Sequence, residues 1–244
     1  MYVVTWQAGK VSTQASVDVP HPISGARLRD IYMESVRALT FGLAKFRNSS
    51  VVVGPVTLLR FGRATVTRTS VDWPIEGGLL TRASGGHLRI QSSAGHVEAV
   101  VTGYRPILPR PLYAATHLQV HLLFTRLYLL GLRGREPSPG PTPSQEDRIR
   151  AAGVDVAFCL TLARLTGRRR LVRTIAVAAA YHVVCWSVWG RTLGGIVMRQ
   201  RVVAVDGTPL LPTQAMLRFA LLPTSWISRR PIHDEIAQSS VIAL

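Results

Sequence analysis

The sequence predicts an α+β domain at the N-terminus, joined to an α-helical membrane module of two to three short transmembrane helices. Three observations support this: short β-branched runs between residues 50 and 105, a Pro-rich break after residue 135, and apolar runs from residue 148 onward. At 244 residues the chain is long enough for two modest domains. Charged residues make up 17% of it and hydrophobic residues 47%, which is a low charge content for a soluble protein.

The net charge of +16 suits either nucleic acid or an anionic lipid surface. Residues 148–244 carry 13 basic and 4 acidic residues, a net charge of +9, on the more apolar part of the chain. Arginines beside apolar helices are typical of membrane proteins, where they contact lipid phosphates. Nucleic-acid modules need a basic face with interleaved aromatic residues, and the sequence contains no segment with that pattern. We therefore expect a lipid bilayer with anionic headgroups as partner, and no nucleic acid.

The N-terminal part reads as helix, strands, helix. Residues 1–24 form an irregular lead with one strand in VSTQASVDV, and apolar spacing predicts a helix over residues 28–46. Short β-branched runs follow, separated by WPIEGG, SGG and SSAG, which supply turn residues. These runs predict an antiparallel meander of about five strands. The layout is loosely similar to helix-grip domains.

The apolar segment Leu112–Leu132 is long enough to span a bilayer, but His117, His121 and Arg126 interrupt it. We expect it to pack on the sheet or to lie at the membrane interface. The two histidines have the spacing of zinc-protease ligands, yet Leu118 stands where the protease has its catalytic Glu, and no third ligand is evident. The sequence therefore predicts no metal site here.

The Pro-rich segment 136–146 favours extended backbone and is predicted to link a domain at 1–135 to a module at 147–244. No phosphate-binding glycine loop or nucleophile elbow is present in the sequence, so we expect no enzyme and no cofactor. Cys159 and Cys185 are expected to act as small apolar side chains. The N-terminus lacks the apolar region of a signal peptide, so membrane insertion is expected to use internal helices.

Three apolar segments after the linker are predicted helices: Arg148–Leu165, Leu171–Trp189 and Ala215–Ile227. The second is the clearest transmembrane candidate, because Trp186 and Trp189 lie at its end, where interfacial aromatics are expected. The first is short for a full span and the third is interrupted by Pro223. Arginines flank both ends of these helices, Arg168–Arg170 included, so the positive-inside rule leaves the orientation open.

An ordered set of motifs runs through this region. They are R-x-x-A-x-x-x-D at 148–155, G-x-T-x-G at 190–194, R-V-V-x-x-D-G at 201–207, an Arg at 218 and R-R-x-x-H-D at 229–234. In this order, over about residues 145–244, they resemble the RDD family of small membrane modules. The resemblance implies transmembrane helices and a suspected role in transport. The candidate functional charges are Arg148, Asp155, Arg201, Asp206, Arg218, His233 and Asp234.

Asp155, Asp206 and the pair His233 and Asp234 each have two interpretations. A carboxylate in the hydrocarbon costs at least ~2.5–3.5 kcal/mol, so Asp155 either binds a proton or cation, paired with Arg148 or Arg218, or forms an interfacial ion pair that sets helix register. Asp206 in V-D-G-T-P forms a hairpin turn or binds a ligand. His233 and Asp234 either form a proton-sensitive pair, or Asp234 pins the last segment against Arg229 or Arg230.

The sequence-based hypothesis is therefore a multi-pass protein of the cell membrane with its N-terminal domain in the cytoplasm. Its expected function is transport of an unknown ligand, or exchange of a monovalent cation for a proton. Three short helices form a narrow bundle, so transport would require a homo-oligomer. The alternatives are a non-transporting membrane anchor or docking protein for an N-terminal ligand-binding domain, and a soluble protein with core helices.

Overall fold

The computed structural model of the chain describes residues 2–164, 170–228 and 230–244. The chain forms two compact units, Met1–Gly134 and Arg135–Leu244. Each unit has its own core and its own sheet. Arg168, Arg169 and Arg229, which belong to the predicted basic loop and to the closing motif, lie outside the described residues.

The N-terminal unit is built on one antiparallel sheet. Its strands are β1 Tyr2–Gln7, β2 Lys10–Asp18, β3 Ala44–Arg47, β4 Ser50–Val53, β5 Val56–Phe61, β6 Thr65–Val66, β7 Ser70–Gly77, β8 Gly86–Ser93 and β9 His96–Tyr104. The order across the sheet is β1-β2-β9-β8-β7-β5-β4-β3, and β6 pairs with β7. The predicted antiparallel α+β class is confirmed for this unit, with more strands than the meander of about five that was expected.

Two of the additional strands, β1 and β3, lie beside turns that the sequence pattern did not reveal, and β7 contains most of WPIEGG, which was expected to be a turn. The lead contains β1, which pairs with β2 across a turn where Ala8 and Gly9 have φ of 48° and 73°. The predicted helix over 28–46 ends early because Phe41 and Gly42 also have positive φ, 53° and 80°, which a helix cannot continue through. The residues after this turn form β3 and pair with β4.

The helices of this unit are α1 Gly25–Leu39, α2 Arg110–Ala115 and α3 His117–Arg133. Ser24 caps α1 through its Oγ, which accepts a hydrogen bond from the Arg27 N–H. The predicted single helix Leu112–Leu132 is broken at Thr116, whose φ and ψ of −123° and −86° are not helical. Helix α1 packs on β3, β7 and β8, and α3 packs on β2 and β9, so both helices cover the same sheet.

The core of the N-terminal unit follows the two-residue period of its strands. Every second residue of β8 is buried, from Gly86 to Ser92, as expected for a strand with one face against helices. Trp73, Ile90, Leu28 and Leu130 are among the largest fully buried side chains. Their apolar area, removed from water at roughly 25 cal/mol per Å², holds α1 and α3 on the sheet.

The C-terminal unit consists mainly of short helices. They are α4 Gln145–Arg164, α5 Arg170–Val184 with a π-helical turn Cys185–Trp189, α6 Leu193–Val197, α7 Pro212–Ala220, α8 Leu222–Ser228 and α9 Ile232–Ile236. Strands β10 Gln200–Ala204 and β11 Ser239–Ala243 form an antiparallel pair. The predicted third helix is therefore two helices, because Pro223 cannot donate the backbone hydrogen bond that would continue α7.

A single helical segment of the described residues, Leu171–Trp189, is long and apolar enough to cross a membrane by length and composition. Its mean hydropathy is 1.5, and 6% of it is buried. The sequence predicted this segment as the clearest span. The expectation of two to three spans is not confirmed by the structure, since the other described helices fall short of these criteria.

The contact between α1 and β7 gives a direct test of the N-terminal fold. A Cβ atom on Gly25 would lie 2.3 Å from the Ser70 carbonyl oxygen, so we expect Gly25→Ala to lower the free energy of unfolding by about 1–3 kcal/mol. Gly131→Ala in α3 is the matched control, because nothing lies within 4 Å of its added methyl group and Ala raises helix propensity by up to about 1 kcal/mol. Hydrogen exchange of the β7 amides in the full chain measures the stability of both variants. Equal effects of the two substitutions would contradict the close packing of α1 against β7.

Candidate functional site

The candidate site is a buried charge network in the C-terminal unit, centred on the Asp234 carboxylate. Asp234 lies in α9, and 3% of the residue is exposed. One of its oxygens, Oδ1, accepts hydrogen bonds from Arg218 Nε at 2.9 Å and from Ser239 Oγ at 2.7 Å. The other, Oδ2, accepts one from Arg148 Nη2 at 2.7 Å. A buried carboxylate with partners on both oxygens is well satisfied, so the network ties α4, α7, α9 and β11 to one residue.

The protonation state of Asp234 follows from these partners. Burial by itself raises the pKa of this carboxyl, but the opposing effects of Arg218, His233, Arg148 and the Ser239 hydroxyl are larger. Together they hold the pKa of Asp234 well below its usual range. The carboxylate is therefore ionised at every physiological pH.

Arg218 is the most deeply buried cation of the network, with 4% of the residue exposed. Its guanidinium carbon lies 4.2 Å from the centroid of the Trp186 ring, which is a close cation–π contact. Trp186 is in the π-helical turn that follows α5. The aromatic ring that the sequence assigned to the membrane interface thus covers a buried arginine inside the unit.

Arg135 is a further member that the sequence analysis missed. Its guanidinium donates from Nη1 to the Asp234 carbonyl oxygen at 3.3 Å and from Nη2 to the Ser239 carbonyl oxygen at 2.9 Å. It stands just before the Pro-rich segment, and no local pattern marks it. These bonds join the start of that segment to the turn between α9 and β11.

Asp155 forms a second centre, in α4, and 5% of the residue is exposed. Its Oδ1 accepts hydrogen bonds from the Tyr181 hydroxyl at 2.7 Å and from the Gly194 N–H at 2.9 Å, and His182 Nε2 lies 4.0 Å from Oδ2. Tyr181 in turn accepts the Leu193 N–H at 2.7 Å. Asp155 therefore connects α4 to α5 and to the start of α6.

Gly194 makes this connection sterically feasible. A Cβ atom at residue 194 would lie 2.0 Å from the Ala151 carbonyl oxygen, so only glycine lets α6 approach α4 this closely. Two residues of the G-x-T-x-G motif thus have structural roles. Gly194 allows the close approach of α6 to α4, and Thr192 caps α6 because its Oγ1 accepts the Gly195 N–H at 3.1 Å.

The structure corrects the pairing expected for Asp155. Both candidate partners, Arg148 and Arg218, bind Asp234 instead. Arg148 and Asp155 are seven residues apart on one face of α4, which separates them by roughly 10 Å along the axis, so each reaches a different neighbour. The sequence suggested that Arg229 or Arg230 pairs with Asp234. Arg230 does not form this pair, and Arg229 lies outside the described residues.

His233 contacts Asp234, as the proton-sensitive interpretation expected: its Nε2 lies 3.4 Å from Asp234 Oδ2. Its Nδ1 is 2.6 Å from the Ser225 Oγ, which links α9 to α8. Burial lowers the pKa of His233 to about 4, since the favourable effect of Asp234 is outweighed by burial together with Arg218 and Arg148. The imidazole is therefore neutral at physiological pH.

The two remaining candidates, Arg201 and Asp206, lie away from the network. Arg201 is in β10, where its side chain packs over Gly190, and its Nε is buried without a hydrogen-bond partner in the described part of the chain. Asp206 Oδ1 accepts hydrogen bonds from the Thr208 N–H and hydroxyl at 3.1 and 2.7 Å. This is a tight turn, as predicted, but it leads to α7 and does not form a hairpin, because β10 pairs with β11.

Residues 169–240 match the RDD family model. The predicted resemblance of the C-terminal region is therefore confirmed. The match to the RDD family indicates a membrane protein. No curated protein and no solved structure matches the chain.

The RDD match covers only part of the network. Arg218, His233 and Asp234 lie within the matched residues, whereas Arg148 and Asp155 precede residue 169. The opening motif of the resemblance is therefore outside the match, although the structure brings Arg148 into contact with Asp234. The N-terminal unit has no recognised family.

The ion pairs around Asp234 predict a large loss of stability on neutralisation. Asp234→Asn leaves Arg218 and Arg148 without their carboxylate, and we expect the free energy of unfolding of the C-terminal unit to fall by about 3–5 kcal/mol. Glu235→Gln is the control, because Glu235 is an exposed carboxylate of the same helix α9, with an expected change within about 0.5 kcal/mol. Chemical unfolding of the full chain in detergent compares them; similar losses would show that Asp234 is not the centre of the network.

The lowered pKa of His233 predicts a pH dependence. As the pH falls from about 6.5, the ordinary value, towards 4, the unfolded chain binds a proton at His233 before the folded chain does. The stability therefore decreases as the pH falls through this window, whereas the Asp234 contribution is lost only at lower pH. In His233→Asn, whose amide can keep the Ser225 contact, the decrease should become smaller. Hydrogen exchange of β11 amides, corrected for intrinsic rates at each pH, tests this; an unchanged slope would assign it to another group.

Proposed function

We propose that the chain is a membrane-anchored protein whose C-terminal helices insert into the bilayer and tether the N-terminal α+β domain to it. The observation that carries this proposal is the outward-facing apolar surface of the span Leu171–Trp189, of which 6% is buried. A helix of this composition in the core of a soluble protein would be mostly buried, because exposed apolar patches of this size are costly in water. Lipid is the environment in which such a surface is stable.

The exposed apolar surface extends beyond this one helix. Large hydrophobic side chains are exposed along α4, α5 and its π-helical turn, and α6: Val154, Val156, Leu160, Leu171, Val172, Ile175, Val184, Val188, Ile196 and Val197. In α4 the buried positions are Ala151, Asp155, Cys159 and Ala163, a four-residue spacing that turns one narrow face inward. The inward face of α4 thus consists of small side chains and one carboxylate, whereas its larger aliphatic side chains face outward, which is unusual for a helix of a soluble domain.

The state of the buried charges favours an anchor over an exchanger. A carboxylate that exchanges a cation for a proton must lose its protein partners or change its protonation within the working pH range. Asp234 does neither readily, because two guanidinium groups and a hydroxyl hold it ionised. The same arginines repel an incoming cation. The network is suited to fixing helices in an apolar environment, where each unpaired charge is expensive.

Cation–proton exchange remains the competing function, and one observation favours it. Asp155 is buried in α4 with an imidazole nitrogen of His182 4.0 Å away, an arrangement from which a proton relay can be built. Exchange would also require more than one span, or an oligomer, to form a path. In either case we propose that Arg173 and Arg191, at the two ends of the span, lie in the headgroup region and contact anionic lipids.

The anchor is tested by placing carboxylates on its outward face. In Ile175→Asp/Val184→Asp both changed side chains are exposed, so a water-soluble unit would tolerate them, whereas each Asp costs roughly 2.5–3.5 kcal/mol in a bilayer. We expect the wild-type chain to stay in the membrane pellet after carbonate extraction and the double variant to be released. Val120→Asp, an exposed helical valine of the N-terminal unit, is the control and should stay in the pellet.

Release of the wild-type chain would overturn membrane anchoring. If the wild-type chain stays in the membrane, flux measurements distinguish an anchor from an exchanger. Purified full chain in proteoliposomes should show no monovalent-cation flux above that of empty liposomes under a pH gradient. A flux that Asp155→Asn abolishes would favour the exchanger.

A further inference from the structure

The N-terminal unit contains a cavity of about 90 Å³ between its sheet and its helices. Apolar side chains of β2, β5, β7, β8 and β9 form one wall, and Tyr32, Tyr113, His117 and His121 form the other. An apolar cavity of about 150 Å³ holds benzene, so 90 Å³ corresponds to a ligand of roughly four non-hydrogen atoms. The cavity lies where a helix covers a sheet face, a common position for small-molecule sites.

Three of the six polar side chains around the cavity are already paired with the protein. His121 Nε2 lies 3.0 Å from Thr13 Oγ1, and the Tyr104 hydroxyl donates to the Leu80 carbonyl oxygen. His117 differs: its Nδ1 is buried and has no hydrogen-bond partner within the described residues. Tyr113 packs edge-on against the His117 ring, with 6.2 Å between centroids, and its hydroxyl forms no hydrogen bond among the described residues.

An unpaired buried nitrogen beside a cavity points to a missing partner, since buried polar atoms are nearly always hydrogen-bonded. The partner must be uncharged. The side chains that line the cavity in the described part of the chain include no Asp, Glu, Lys or Arg. Burial also lowers the pKa of His121 to about 4, so its imidazole offers no positive charge at neutral pH. A charged ligand would lose its hydration without compensation.

We propose that this cavity binds a small, uncharged, mainly apolar molecule whose hydroxyl group pairs with His117 Nδ1. A hydroxyl both donates and accepts, so it fits either tautomer of the His117 ring and the neighbouring Tyr113 hydroxyl. The remaining carbon atoms of the ligand contact the aliphatic side chains of the strands. This site is independent of the membrane proposal, because it lies wholly within residues 1–134.

The test uses short alcohols as probes of the full chain in lipid nanodiscs. Saturation-transfer NMR measures weak binding of ethanol, 1-butanol and 1-octanol, with empty nanodiscs as the blank for partitioning into lipid. We expect saturable binding that is strongest for 1-butanol and falls for 1-octanol, which exceeds the cavity. Partitioning alone increases steadily with chain length, so a steady increase would overturn the proposal without any variant. Absence of saturable binding would mean that the cavity holds only water, which also overturns it.

Two variants, a control variant and two further probes locate the binding. Leu59→Trp fills the cavity and should abolish binding of 1-butanol. His117→Leu should raise its Kd about fivefold to tenfold, the effect of one hydrogen bond, while leaving 1-chlorobutane, which lacks the hydroxyl, unaffected. His21→Leu, an exposed histidine of the same unit, is the control for loss of an imidazole and should bind like wild type. Butyrate should bind at least tenfold more weakly than 1-butanol; equal binding of the two, or an unchanged Kd in His117→Leu, would refute the assignment.

Discussion

The C-terminal unit depends on one constraint: two carboxylates and Arg218 must be buried in a set of apolar helices. A buried charge is stable only when it is paired and hydrogen-bonded. Asp234 meets this requirement through Arg218, Arg148 and Ser239, and Asp155 meets it through Tyr181 and the Gly194 N–H. Because these partners come from different helices, satisfying the charges also determines which helices are neighbours.

The exposed surface of the unit follows from the same constraint. The inward face of α4 consists of small side chains and Asp155, and the outer faces of α4 and α5 carry aliphatic side chains such as Val156 and Ile175. This arrangement is unfavourable in water and favourable in lipid. The RDD match over residues 169–240 and the exposed aliphatic surface of α4 and α5 therefore both support membrane association, one from sequence and one from packing.

Sequence reasoning was accurate where a property is local. Periodicity and turn residues identified the antiparallel α+β class of the N-terminal unit and the apolar segment 171–189. It was less accurate at the ends of elements: β1 was overlooked, and the first helix was extended as far as Phe46. Both errors involve turns with positive φ at residues such as Ala8 and Phe41, which side-chain types alone do not reveal.

By itself the sequence determined the types of element, the family of the C-terminal region and the set of charges that need partners, because composition, order and spacing carry this information. Only the tertiary structure decided which of these charged groups pair with one another. Arg148 and Asp234 are 86 positions apart, and their pairing depends on how α4, α7 and α9 pack. The cavity beside His117 is equally a product of folding, since its walls come from five strands and three helices. Helical spacing places a side chain on one face of a helix, but it does not specify which residues of other elements that face contacts.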